Sequence, residues 1–235
     1  MGQLTVSGRD TVYVWVGRDT GGRPDPAGRL LRRAGAALLG RSEVELVLTH
    51  RPGGGPVVLV GGPVEQGRQS GPVELPVSVS RTDGVVVVAA RPAGPVGVDV
   101  ERVRPLPALA LARRWFPPAE LSWLAGRPEA GHAVDFLRLW TAKEAVGKAL
   151  GLGLRDEGLR RKMPLPVGPA LRAVPGLAAL RVGHPEVDAD LVLAIGVVAG
   201  GEVDVEVVQR AGHGVAAERS TSTERTSLPV VVRGS

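Results

Sequence analysis

AVDFLRLWTAKEAVGKAL, residues 133–150, is the longest helically periodic segment of this 235-residue chain, with Phe136, Leu137, Trp140, Ala145 and Leu150 available for burial. Gly151 and Gly153 end it, as glycines past a helix C-terminus do. Two shorter helical stretches, 106–116 and 118–125, come before it. Ahead of them, Val96-Gly97-Val98-Asp99-Val100-Glu101 puts an aliphatic residue at every second position, the period of a strand. Strands and helices therefore mix within about 55 residues.

Working outward, 11–16 reads as a strand, 29–39 as a short helix stopped by Gly40, and 44–48, 57–60 and 75–79 as strands broken by Gly/Pro turns. Arg81-Thr82-Asp83-Gly84 has turn composition, predicting a hairpin between 77–80 and 85–90. Strands return at 191–198 and 203–208. The order strand, helix, strands is thus loosely repeated. We expect two similar subdomains, residues 1–95 and 96–210, followed by a disordered tail, 211–235, rich in Ser, Thr, Glu and Arg.

Hydrophobic residues make up 43% and charged residues 23%, and no apolar run reaches the roughly 18 residues a membrane span needs. The first residues lack a basic-then-apolar leader pattern, so a cytoplasmic protein is expected. The absence of cysteine excludes disulfides, thiolate metal sites and thiol catalysis. The net charge of +5 suits an anionic partner, although 26 of the 29 basic residues are arginine and an Arg-, Gly- and Pro-rich composition can arise from codon usage alone. The aromatics say more, since five of the seven lie between Trp115 and Trp140.

Two patterns carry chemistry. Alternation along a strand makes Asp99 and Glu101 project together while Val98 and Val100 face the core. Paired carboxylates repel unless a hard cation such as Mg²⁺ lies between them, although the same spacing also marks a solvent-facing edge strand. On the long helix, Trp140, Glu144 and Lys148 lie four apart on one face. An ordinary exposed ion pair would look the same. Yet two of the chain's three lysines, Lys143 and Lys148, fall here, and lysine serves phosphate as a compact point charge.

Gly97-Val98-Asp99-Val100-Glu101, then Trp115-Phe116 with Glu120, then 136–151 in that order resemble the 4′-phosphopantetheinyl transferase superfamily, most strongly over 77–153. In layout the chain is similar to the long, monomeric surfactin-type members. The resemblance implies an α+β fold of two pseudo-twofold-related subdomains with the active site between them. It implies transfer of phosphopantetheine from coenzyme A to a serine of an apo acyl or peptidyl carrier protein. Asp99, Glu101 and Glu144 would bind Mg²⁺, which Mn²⁺ can replace in an all-oxygen site. Glu144 would be the base, Lys148 would neutralise phosphate charge with Lys143 secondary, and Ser80 and Arg81 would contact coenzyme A. Arg81 stands where the family commonly has histidine, and a guanidinium can grip a phosphate through two donors. Arg29, Arg32 and Arg33 are weak substitutes for basic residues that grip the nucleotide in longer members.

Two other readings draw on some of the same residues. A divalent-metal phosphohydrolase would share the carboxylates but usually adds further Asp or His ligands, and His50, His132, His184 and His213 are scattered. A basic nucleic-acid-binding module is supported only by charge. Neither nucleic acid nor a membrane is expected as a partner.

Overall fold

The computed structural model describes residues 9–18, 25–51, 55–60, 64–65, 68–69, 72–155, 158–209 and 225–228. Strand β1 (Thr11–Arg18) leads to α1 (Pro26–Leu39), then β2 (Leu46–His50), β3 (Pro56–Val60) and a small separate hairpin, β4 (Val64–Glu65) with β5 (Arg68–Gln69). Next come β6 (Val73–Thr82), β7 (Val85–Ala90) and β8 (Val96–Arg102). Helices α2 (Ala108–Trp115), α3 (Pro118–Ala125) and α4 (His132–Ala149) follow, then β9 (Arg172–Val174), β10 (Leu177–Gly183), β11 (Leu191–Val198), β12 (Asp204–Gln209) and β13 (Arg225–Leu228). The fold is α+β. A seven-stranded sheet runs β13-β12-β1-β7-β6-β3-β2 and a four-stranded one runs β8-β11-β10-β9.

Local chemistry explains several boundaries. Helix α1 starts three residues before the expected Arg29 because the Asp25 carboxylate accepts the Gly28 N–H at 2.9 Å and Pro26 opens the first turn. The β6–β7 hairpin is tighter than expected. Thr82 already pairs with Val85, so Arg81 and Thr82 belong to the strand and only Asp83-Gly84 turns, with Gly84 at φ 66°.

The first sheet buries one face under α1, where Tyr13, Trp15, Leu31, Ala34, Val58, Leu75 and Val88 pack together. Its other face meets the second sheet: Val12, Val14, Val87 and Val205 join Val98, Val100, Leu193 and Ile195 in one apolar layer. Helix α4 covers the far side of the second sheet, with Phe116, Leu124, Phe136, Leu137, Leu139 and Val146 as its core. Small residues allow this closeness. A Cβ on Gly97 of β8 would lie 1.9 Å from the Ala145 carbonyl oxygen, and Gly196, paired with Gly97 across β8 and β11, would meet the same carbonyl at 2.9 Å.

The expected division at residues 95 and 96 is crossed by the chain. Strand β12, assigned from sequence to the second subdomain, pairs in parallel with β1 in the first sheet, from Thr11 opposite Asp204 to Val16 opposite Gln209. Arg91, only 3% exposed, reinforces the crossing: it binds Asp10 through Nε (2.8 Å) and Nη2 (2.5 Å) and donates to the Val198 carbonyl at 2.7 Å. Of the tail expected to be disordered, Arg225–Leu228 pairs antiparallel with β12, and its other residues lie outside the described ones. No helix among the described residues is long and apolar enough to cross a membrane.

Candidate active site

From Leu139 to Ala149, α4 is buried at every position except Trp140, Glu144 and Lys148, which are half-exposed. The face expected from the i, i+4, i+8 spacing is therefore the open stripe of this part of the helix. It lies over the polar side of β8. Lys148 donates to Asp99 Oδ1 at 2.8 Å and to the Val98 carbonyl at 3.0 Å, tying helix to strand. The alternation argument holds too: Val98 and Val100 enter the inter-sheet core while Asp99 turns to α4.

Charge at this junction is uneven. Asp99 is 6% exposed, and burial pushes its carboxyl above the ordinary range although Lys148 and Ser80 pull it back down. Glu144 is pushed up as well, chiefly by burial, then by the neighbouring Asp99, with Glu101 adding to the effect and Lys148 opposing it. The three carboxylates thus share one field with more negative charge than Lys148 offsets. Glu101 has a second cation at its rim, since Arg104 Nη1 lies 3.0 Å from its Oε2. The carboxylates are electrostatic neighbours but not closed on one another: no group of three or more His, Asp or Glu side chains at metal-holding separation occurs among the described residues.

Two predicted site residues are placed differently from expectation. Lys143 is not brought to this junction. It lies on the opposite side of α4, fully buried, with Nζ 2.7 Å from Glu120 Oε2, 2.5 Å from the Arg161 carbonyl and 5.0 Å from the Phe116 ring centre. A 143-to-148 separation of five residues turns a helix by about 500°, or 140° net, so the two lysines cannot share a face. Ser80 is near, but its hydroxyl is engaged with Asp99 (2.8 Å) and the Val100 N–H (3.3 Å). Arg81 is exposed at the end of β6 and has no partner among the described residues.

Beside Lys148 opens a cavity of about 290 Å³, walled by Pro56, Pro76 and Val77 from the first sheet and by Val96 and Leu150 from the second half. Its lining carries two charged side chains, Lys148 and Arg51, both cations. Arg29, Arg32 and Arg33 do not line it.

Residues 95–165 match the sequence profile of the 4′-phosphopantetheinyl transferase superfamily, a stretch that contains Asp99, Glu101, Glu144 and Lys148. Over that stretch the chain is similar to that superfamily. Among curated relatives it is 31% identical over 90 residues to 4′-phosphopantetheinyl transferase gsp of Aneurinibacillus migulanus, covering 38% of this chain and 37% of the relative. It is 38% identical over 68 residues to 4′-phosphopantetheinyl transferase psf-1 of Bacillus pumilus, covering 29% of each. It is 34% identical over 68 residues to 4′-phosphopantetheinyl transferase Sfp of Bacillus subtilis, covering 29% of this chain and 30% of the relative. The matched stretch spans about a third of the length of these relatives.

Sequence reasoning missed Arg51 in the cavity wall, Arg104 beside Glu101 and the engagement of Ser80. Nothing in a linear reading links Arg51 to Lys148, since 97 positions separate them. Ser80 could have been found: Ser78 and Ser80 alternate on one face of β6 beside the apolar Leu75, Val77 and Val79, and a buried polar pair needs partners.

Proposed function

We propose that the chain transfers the 4′-phosphopantetheine group of coenzyme A to a serine hydroxyl of an apo acyl or peptidyl carrier protein, as a surfactin-type member of its superfamily. The observation that carries this reading is the meeting of Asp99, Glu144 and Lys148, all within the matched stretch, with Lys148 also lining the neighbouring cavity. In the reaction the serine oxygen bonds to the phosphorus bearing pantetheine, the bridging P–O bond breaks, and adenosine 3′,5′-bisphosphate leaves.

Glu144 takes the serine proton. Its raised proton affinity makes it a stronger base than a solvent-exposed carboxylate while leaving it partly exposed to an incoming hydroxyl. Lys148 faces the cavity and stabilises negative charge as the bridging oxygen departs. Arg81, whose guanidinium has no partner among the described residues, contributes to coenzyme A binding. Asp99, Glu101 and Glu144 would hold a Mg²⁺ ion, for which Mn²⁺ can substitute; the fit rests on an all-carboxylate donor set, in which Glu144 is raised chiefly by burial and then by the charges of Asp99 and Glu101. When bound, that ion supplies charge neutralisation at the pyrophosphate.

Intact-mass spectrometry of apo carrier proteins incubated with the chain, coenzyme A and Mg²⁺ tests the reading, with Glu144→Gln as control. A gain of one phosphopantetheine on a carrier, absent with the control, supports it. No gain on any acyl or peptidyl carrier overturns it.

A further inference from the structure

We infer that Ser80 is a positioning residue that aims the Asp99 carboxylate, rather than a contact for the nucleotide. The inference rests on the reading of Asp99 as an ion ligand. A serine hydroxyl has one proton to donate and two lone pairs to accept with. The Val100 N–H can only donate, so at 3.3 Å Ser80 Oγ accepts from it. An ionised Asp99 can only accept, so at 2.8 Å the single hydroxyl proton goes to Oδ1. No proton is left for a phosphate oxygen.

The same bond fixes the carboxylate plane. Oδ1 receives both Ser80 and Lys148, each at 2.8 Å, while Oδ2 receives no hydrogen bond among the described residues. One oxygen is anchored and the other is presented. Both partners of the Ser80–Asp99 bond are buried, at 7% and 6% exposure, so the bond is little weakened by water. Ser80 therefore connects the first sheet, through β6, to a group on β8 of the second.

Ser78 supplies an internal control. Its hydroxyl accepts the Val98 N–H at 3.0 Å, the same stitch between β6 and β8, but bonds no carboxylate among the described residues. Removing Ser78 tests the stitching alone; removing Ser80 tests stitching and aim together.

The test is Mn²⁺ binding to the full chain followed by electron paramagnetic resonance, beside calorimetric binding of adenosine 3′,5′-bisphosphate without metal. Ser80→Ala is expected to weaken Mn²⁺ about tenfold, the usual scale for losing an outer-shell partner, with bisphosphate affinity unchanged. Ser80→Thr, which keeps the hydroxyl, should remain within about threefold of wild type, as should Ser78→Ala. Equal weakening by Ser80→Ala and Ser78→Ala overturns the inference, as does a loss of bisphosphate affinity in Ser80→Ala with Mn²⁺ affinity intact. Wild-type protein that binds no Mn²⁺ also overturns it. A wild type that binds Mn²⁺ with this pattern yet modifies no carrier leaves Ser80's role standing and removes the proposed transferase activity.

Discussion

Gly97 and Ala145 touch through their backbones: the space where a Gly97 side chain would begin lies 1.9 Å from the Ala145 carbonyl oxygen. This contact sets how deeply α4 sinks onto β8, and so how far Lys148 must reach to meet Asp99. Gly97→Ala cannot be absorbed by side-chain rotation, because the obstacle is main chain. We expect it to destabilise the fold by about 3 kcal/mol, read as a lower denaturant midpoint, and to lengthen the Lys148–Asp99 contact in a crystal structure of the variant.

The buried Lys143–Glu120 pair predicts a different response. Lys143→Met leaves Glu120 charged and enclosed, and should cost about 3–5 kcal/mol. Adding Glu120→Gln removes that charge while keeping an acceptor for the Met163 N–H, which now donates to Oε1 at 2.8 Å. The double variant should therefore recover more than half of the lost stability in urea unfolding. A double variant as unstable as the single one would show that packing, not charge, sets the cost.

His184 makes stability fall in mild acid. Burial lowers its pKa from 6.5 to about 4, and its Nε2 lies 2.8 Å from the Arg138 carbonyl, which fixes the proton on Nε2 of a neutral ring. The unfolded chain binds the second proton more tightly than the folded one, so the ring's contribution is complete above about pH 6.5 and is lost as pH drops toward 4. The loss amounts to about 3 kcal/mol. Comparing wild type with His184→Gln across this range by chemical denaturation isolates it.

Glu144 has the opposite sign. Its carboxyl is raised, so the folded protein binds that proton more tightly than the unfolded one and is penalised as pH rises above the ordinary glutamate value of 4.5. Glu144→Gln removes the penalty and should raise the melting temperature of metal-free protein at neutral pH, while the difference vanishes in acid. The same change should lower carrier modification by at least about a hundredfold. Higher stability together with lost activity marks a group retained for chemistry.

Much of this was legible because two simple periods hold where the site is built. The two-residue period of 96–101 sent Asp99 to one face of the strand and the valines to the other, and the four-residue spacing of Trp140, Glu144 and Lys148 marked the open stripe of α4. Lys143, given a secondary role by the resemblance, lies on the other side of α4 from Lys148, a difference of angle that the resemblance does not display. The segment from Arg172 to Gly183 was unassigned because Leu177, Ala178 and Ala179 of β10 are all exposed, so no alternation appears. The crossing of β12 into the first sheet has no sequence signal, since its alternating valines would suit either sheet.

That crossing bears on how the molecule comes apart. A break after residue 95 would strip β1 of the neighbour that pairs with it from Thr11 to Val16, and would separate Arg91 from the Val198 carbonyl. Each piece would carry a bare hydrogen-bonding edge, the kind that invites aggregation. Beads-on-a-string melting, one half before the other, is therefore denied to this chain: its last paired strands close over its first, and calorimetry should record a single cooperative transition.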